Sequence, residues 1–222
     1  MSNQCRFIGN IIGKTESVDK AFKIFANEYN TEEPFLCNIY EVYKDSEKQL
    51  DDNCKVIRIS GTCGWSIESA MMPNGKYKDW EKCQTDPEYA KPYSERFVKG
   101  HATNLVNLSK DLYLCIELVG YEPIEQFSEH IGVVLGDVVE YNITDYREYY
   151  ISSLNTYEEF LRAYKKEAFA KDDVTEDIFE AHKNNGDLYI CVGGFRFDGQ
   201  DMSKVIQLTN RGDNNDDTLS IS

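Results

Sequence analysis

Cys63 is the residue whose setting comes nearest to that of a working thiol. It lies in Lys55–Met72, KVIRISGTCGWSIESAMM, where a run of strand formers is broken at Gly61. After the corner Cys63-Gly64-Trp65, the residues Ser66 to Met72 read as a short helix, stopped by Pro73-Asn74-Gly75. A cysteine at a helix start has its thiolate favoured by the unpaired N–H groups there. His130 or His101 would then serve as base, with Asn104 or Glu129 orienting it. No oxyanion-hole motif accompanies these residues, and spacing along a chain establishes no contact. The same pattern describes a strand-to-helix corner of a core, with Cys63 and Trp65 as packing anchors. That second reading is the expectation here, so no catalytic residue is assigned and Cys63 with His130 stands as the alternative.

Other chemistries find less to work with. The three histidines, His101, His130 and His182, show no metal-ligand spacing, and Asp198, Asp201 and the run Asp213–Asp217 lack the ligand pattern of a calcium loop. Gly193-Gly194 is followed by neither Lys-Ser/Thr nor a second glycine pair, so no phosphate cradle is read and no cofactor is expected. Adjacent carboxylates such as Glu158–Glu159 and Asp172–Asp173 diverge on a helix. The seven cysteines, Cys5, Cys37, Cys54, Cys63, Cys83, Cys115 and Cys191, contain no C-x-x-C pair and suit a reduced, cytoplasmic setting. Neither a leader-like N-terminus nor an apolar run of about 18 residues is present, so membrane association is not expected.

Charge is the strongest compositional signal. The 222 residues carry a net −15, and it is unevenly spread: residues 1–100 hold 14 basic and 16 acidic side chains, the remainder 10 and 23. Within 101–150, Asp111, Glu117, Glu122, Glu125, Glu129, Asp137, Glu140, Asp145 and Glu148 face only Lys110 and Arg147. Gathered on one face, these carboxylates would imitate a nucleic-acid backbone toward a basic groove. Scattered, they would simply keep the protein soluble. The expected partner is a protein with a basic surface, such as a nucleic-acid-binding enzyme. Direct nucleic-acid binding is disfavoured by the charge, although Tyr113 and Tyr141 offer stacking rings. The 15 tyrosines and the C-terminal helices leave a homodimer as a further possibility.

These groups need elements to position them. Residues 3–13 read as a strand. A helix follows from Ser17 to about Tyr29, with Val18, Ala21, Phe22 and Phe25 on one face, and Phe35–Tyr43 is a second strand. Residues 73–100 read as an insertion and 102–109 as helix. Leu112–Glu122 is the clearest strand, and Ser128–Leu135 with Val138–Thr144 form a hairpin about Gly136-Asp137 in a II′ turn. Val139, Tyr141 and Ile143 alternate with Glu140, Asn142 and Thr144, so one hairpin face should meet water. Residues 1–150 are read as one α+β domain. Residues 151–222 are read as a mostly helical subdomain, opened by Thr156-x-x-Glu159 and Asp173-x-x-Glu176, with a last strand at 188–192 and an acidic tail.

Strand, helix, two strands, helix, strand is the order of a ferredoxin-like split β-α-β sheet. In that frame SGTCGWSIESAM (Ser60–Met71) resembles a landmark of YubB-like ferredoxin-fold proteins of plasmids and phages. LYLCIELVGYEPIEQFSEHI (Leu112–Ile131) is similar to their second landmark, a strand leading to E-P-x-x-x-F-x-E-H. The resemblance covers roughly residues 3–150. The chain departs from it in lacking an N-terminal W-C, in the 73–100 insertion and in the C-terminal region. It implies a fold and a mobile-element origin but no reaction. Together with the charge, it yields the expectation of a non-enzymatic acidic protein-binding module, an inhibitor or nucleic-acid mimic directed at a host defence nuclease. A Cys63 thiol enzyme and a self-associating structural module are the alternatives.

Overall fold

Alternating apolar residues build about half of the described residues into strands. The computed structural model describes residues 4–26, 34–36, 38–71, 102–164 and 174–196. In order these form β1 (Gln4–Lys14), α1 (Thr15–Phe25), β2 (Phe35–Leu36), β3 (Ile39–Gln49), β4 (Cys54–Gly64) and α2 (Ile67–Met71). They continue as β5 (Ala102–Thr103), α3 (Leu105–Leu112), β6 (Cys115–Glu122), β7 (Phe127–Val134), β8 (Asp137–Tyr150), α4 (Tyr157–Ala163), α5 (Glu176–Asn184) and β9 (Tyr189–Gly193). Seven strands join in the order β3-β4-β1-β6-β7-β8-β9, every neighbouring pair antiparallel, while β2 and β5 pair separately in parallel.

This architecture overturns the expected ferredoxin-like α+β fold. The sheet is a single seven-stranded, antiparallel half-barrel that dominates the molecule. Its helices are short, eleven residues in α1, five in α2 and eight in α3. The physical reason lies in the connections after β6. Four residues separate β6 from β7 and two separate β7 from β8, too few for a crossover helix, so each strand turns back beside its predecessor and the sheet keeps growing. A twisted sheet of this width curls.

The main core lies on one face. Ile57, Ile59 and Cys63 of β4, Phe7 and Ile11 of β1, Ile116 and Leu118 of β6 and Ile131 and Val133 of β7 point inward to Val18, Ala21 and Phe25 of α1 and Leu105 and Leu108 of α3. Arg58, between two buried isoleucines, faces the other way, as strand alternation requires. A second apolar cluster, Tyr149, Ile151, Phe160, Val174, Phe179 and Ile190, draws on β8, α4, α5 and β9. β8 therefore serves two cores, its first part lying on β7 and its last five residues, Tyr146–Tyr150, on β9.

Several local expectations shift. Trp65 is not a core anchor: it is 58% exposed, at φ +67°, in a tight turn closed by the Ser66 N–H on the Gly64 carbonyl at 2.8 Å. Ile67, fully buried, plugs that corner instead. The strand read from Leu112 begins only at Cys115, because α3 runs to Leu112 and is closed by Tyr113 in the left-handed region. The hairpin turn is Leu135-Gly136, with φ +50° and +97°, a I′-like geometry one residue earlier than the expected II′ turn. α5 is capped by Thr175 rather than opened by Asp173, which lies outside the described residues, as do Tyr29, residues 73–100 and the acidic tail. Thr156 caps α4, accepting from the Glu159 N–H at 3.2 Å.

Candidate functional site on the β8 edge

The β7–β8 hairpin carries the surface that stands out. Tyr141 pairs with the buried Ile131, and Ile143 with Glu129, so both lie on the helix-bearing face of the sheet. That helix layer stops short of β8, where Val138 (paired with the buried Val133), Tyr141 and Ile143 are 45%, 39% and 56% exposed, while Val139, the extra residue of the bulge, lies beside Gly132 and Glu140 on the opposite face. Alternation holds from Glu140 to Thr144 but breaks at the bulge, which moves Val139 to the face of Glu140, and the apolar face of Tyr141 and Ile143 meets water. Large apolar side chains aligned on a strand and left open to solvent mark interaction surfaces more often than singly scattered ones do.

The edge beside them is also open. The Tyr146 N–H donates to the Gln126 carbonyl on the β7 side at 3.0 Å, and the Asp145 carbonyl accepts from the Gly194 N–H on the opposite side at 2.8 Å. Successive residues of a strand direct their main-chain groups to alternate sides. Tyr141 and Ile143, in step with Asp145, therefore turn their N–H and C=O groups away from β7. Among the described residues no strand pairs there, because β9 meets only Tyr146–Tyr150. Gly193 and Gly194, at φ +71° and +78°, turn the chain off the edge. The chain then crosses the opposite face: the Phe195 N–H donates to Ser128 Oγ at 3.1 Å, and its carbonyl accepts from the Tyr121 hydroxyl.

Acidic groups surround the strip. The Tyr141 hydroxyl donates to Glu68 Oε2 at 2.8 Å, tying β8 to α2. Glu129, 2% exposed, accepts from the Glu68 N–H at 3.2 Å. Burial pushes the Glu129 carboxyl up to about 7 and the Glu68 charge adds to this, against the N–H groups of Glu68 and Ile67 and the Ser66 hydroxyl, which favour its ionised form. Asp137 and Asp145 stand exposed at the two ends of the strip. The segment 137–145, DVVEYNITD, contains no basic residue; Lys110 packs beside the turn at Gly136.

The opposite face holds a separate polar group. His130 Nε2 lies 2.9 Å from Glu117 Oε1, and that hydrogen bond raises the imidazole pKa against the opposing effect of burial. Among the described residues, Glu117 Oε2 is buried without a hydrogen-bond partner. The Phe195 ring packs at 5.6 Å from His130. Farther along, Tyr146 donates to Glu148, which also pairs with Arg6. This network holds protons and fixes the chain end of β9 against the sheet.

The nine carboxylates singled out in the sequence do not form one face. Glu117, Glu122 and Glu129 are buried, Glu140 and Glu148 are half-buried, and Asp111, Glu125, Asp137 and Asp145 are exposed. Glu117 and Glu129 point to opposite faces, since Glu117 lies across from Gly132 and Glu129 across from Gly120. Cys63 and His130 are not brought together either. Cys63 pairs with Cys5 on the core face, whereas His130 is level with Val119 and Ile8 on the other. A hydrogen bond with Cys5 and burial raise the Cys63 thiol well above its ordinary value, which opposes thiolate formation. Tyr113 is exposed at the end of α3, away from Tyr141 in the chain and in the sheet.

Among the described residues no cluster of His, Cys, Asp and Glu could hold a metal ion, and no helix is long and apolar enough to cross a membrane. Compared with known proteins, the chain matches no family model, no curated protein and no solved structure. Sequence reasoning read Ile143 only as part of one hairpin face and passed over Val138 and Glu68. The alternation in 138–144 was the available signal, but alternation says that two faces differ, not which one a helix covers.

Proposed function

We propose that the chain is a non-enzymatic protein-binding module whose partner presents a basic surface to the strip Val138–Tyr141–Ile143. The observation that carries this reading is the pairing of a solvent-exposed apolar row with carboxylates at both ends and no cation in the segment. Apolar side chains supply the contact area, and the field of a −15 protein steers a cationic partner toward it. The acidic site is narrower than the nine-residue set: Glu68, Asp137, Glu140 and Asp145 flank the strip, and the buried carboxylates contribute only to the field. The resemblance to YubB-like proteins adds a mobile-element setting, in which a nucleic-acid-binding enzyme of a host defence system is a partner with suitable charge.

The test is affinity capture with the intact chain beside the double variant Tyr141→Ser/Ile143→Ser. A specific partner should be held by the native chain, lost from the variant, and released as salt rises from about 0.1 M to about 1 M. A partner held equally by both chains at about 1 M salt would remove the reading.

A further inference from the structure

We infer that the partner contributes an extended, lysine- or arginine-bearing segment that adds to the sheet as a strand along Asp137–Asp145 of β8. This inference rests on the protein-binding reading above and specifies its geometry. Three observations carry it. The main-chain groups of Tyr141 and Ile143 point to the side of β8 on which no strand pairs among the described residues, by the alternation fixed at Tyr146 and Asp145. The side chains of the same two residues, with Val138 on the same face, stand exposed beside that edge, so one incoming strand would engage both at once. The edge is also acidic along its length, with Asp137, Glu140 and Asp145 on the strand and Glu68 bound to Tyr141.

Proteins usually protect an exposed edge with lysine, proline, a bulge or a covering segment. β8 has a bulge opposite Gly132–Val133 near one end, and the rest of the segment carries only carboxylates as charged groups. Carboxylates repel a second copy of this same edge, since antiparallel pairing centred on Tyr141 would set Asp137 opposite the second copy's Asp145 at both ends of the segment. They attract a cationic strand. β9 would be the intramolecular competitor, but the glycine pair at 193–194 takes the chain off the edge at Asp145, the residue where the open segment begins. Strand addition gives affinity through the main chain and specificity through alternate side chains. An occupant of alternating Val and Lys matches the site: valines onto Tyr141 and Ile143, lysines toward Glu140 on the other face.

The experiment uses the full chain, isotopically labelled, with three synthetic peptides. One alternates Val and Lys, one alternates Val and Glu, and one is the Val–Lys peptide N-methylated at alternate residues on its pairing side. Strand addition predicts that the Val–Lys peptide binds and shifts the Tyr141 and Ile143 amide resonances, and that N-methylation weakens binding at least about tenfold, as loss of several main-chain bonds requires. The Val–Glu peptide should not bind. Two variants make the complementary test. Ile143→Pro removes an outward N–H, which an edge strand tolerates, and should abolish binding, whereas Ile143→Thr keeps the N–H and should retain most of it.

If the N-methylated peptide binds as well as its parent, strand addition is wrong while the basic-partner reading survives. If neither Val–Lys peptide binds and the Val–Glu peptide does, both readings fail. Peptide-independent dimerisation through the Tyr141 and Ile143 amides would assign the edge to a second copy and overturn the inference.

Discussion

Glu129 shows how one buried carboxyl governs behaviour around neutrality. Its pKa in the folded chain is about 7, against about 4.5 when exposed. Between these values the unfolded chain has released its proton and the folded chain still holds it, so the stability this group contributes is complete below about pH 4.5 and is lost as pH rises through 7. The whole shift amounts to roughly 3 kcal/mol, an order-of-magnitude figure. Glu129→Gln keeps an oxygen for the Glu68 N–H and removes the ionisation. Urea denaturation across pH 5 to 8 should therefore show a flatter stability profile for the variant, with its largest advantage at about pH 8. Parallel profiles would show that Glu129 ionises without cost. His130 acts in the same direction, since its pKa is raised by Glu117: that contribution is complete below about 6.5 and is lost as pH passes the folded value.

At the scale of elements, Lys55 ties α1 to the β3–β4 hairpin. Its Nζ lies 2.6 Å from Asp19 of α1 and 2.8 Å from Glu47 of β3, while the side chain itself is almost completely buried. Burial opposes the charge and the two carboxylates more than restore it, so the ammonium pKa is raised. Removing both partners strands a cation in the interior. Asp19→Ala/Glu47→Ala should lower the chemical denaturation midpoint markedly more than Lys55→Met, which leaves two solvent-accessible carboxylates. Equal effects of the two changes would mean that the pairing is a surface feature. Close approach sets another limit: a side chain at Gly120 would meet Ile67 at 2.6 Å, and this contact lets α2 sit on β6 and bring Glu68 to Tyr141.

For the molecule as a whole, charge is a liability to the fold as well as an attraction for partners. A net −15 concentrated beyond residue 100 loads β6 to β9 with mutual repulsion. Added salt screens it, with a Debye length falling from about 30 Å at 0.01 M to about 8 Å at 0.15 M. The melting temperature at pH 7.5 should rise by about 2–4 °C over that range, which corresponds to roughly 1 kcal/mol for a chain of this size. A fall in the melting temperature would show that ion pairs such as Arg6–Glu148 outweigh the repulsion. The same salt that stabilises the free protein should weaken its complex. These opposed responses separate the role of charge in folding from its role in recognition.

What the sequence determined by itself was periodic and local. The face assignment in β4, with Ile57 and Ile59 inside and Arg58 outside, follows from a two-residue repeat. The apolar stripe of α1 and the Thr156 cap follow from helical spacing and hydroxyl chemistry. The acidic balance needs no structure at all. Tertiary structure alone decided where the sheet ends and which surfaces remain uncovered. Short connections after β6 extended one sheet to seven strands, which no alternation within a single strand could reveal. Trp65 lies outside the core because Ile67, two residues on, fills the same corner. The nine carboxylates divide between two faces and the interior because their strands alternate in register with neighbours distant in sequence. The open edge of β8 depends on two glycines more than forty residues away that turn β9 aside, a relation fixed only when both strands lie in one sheet.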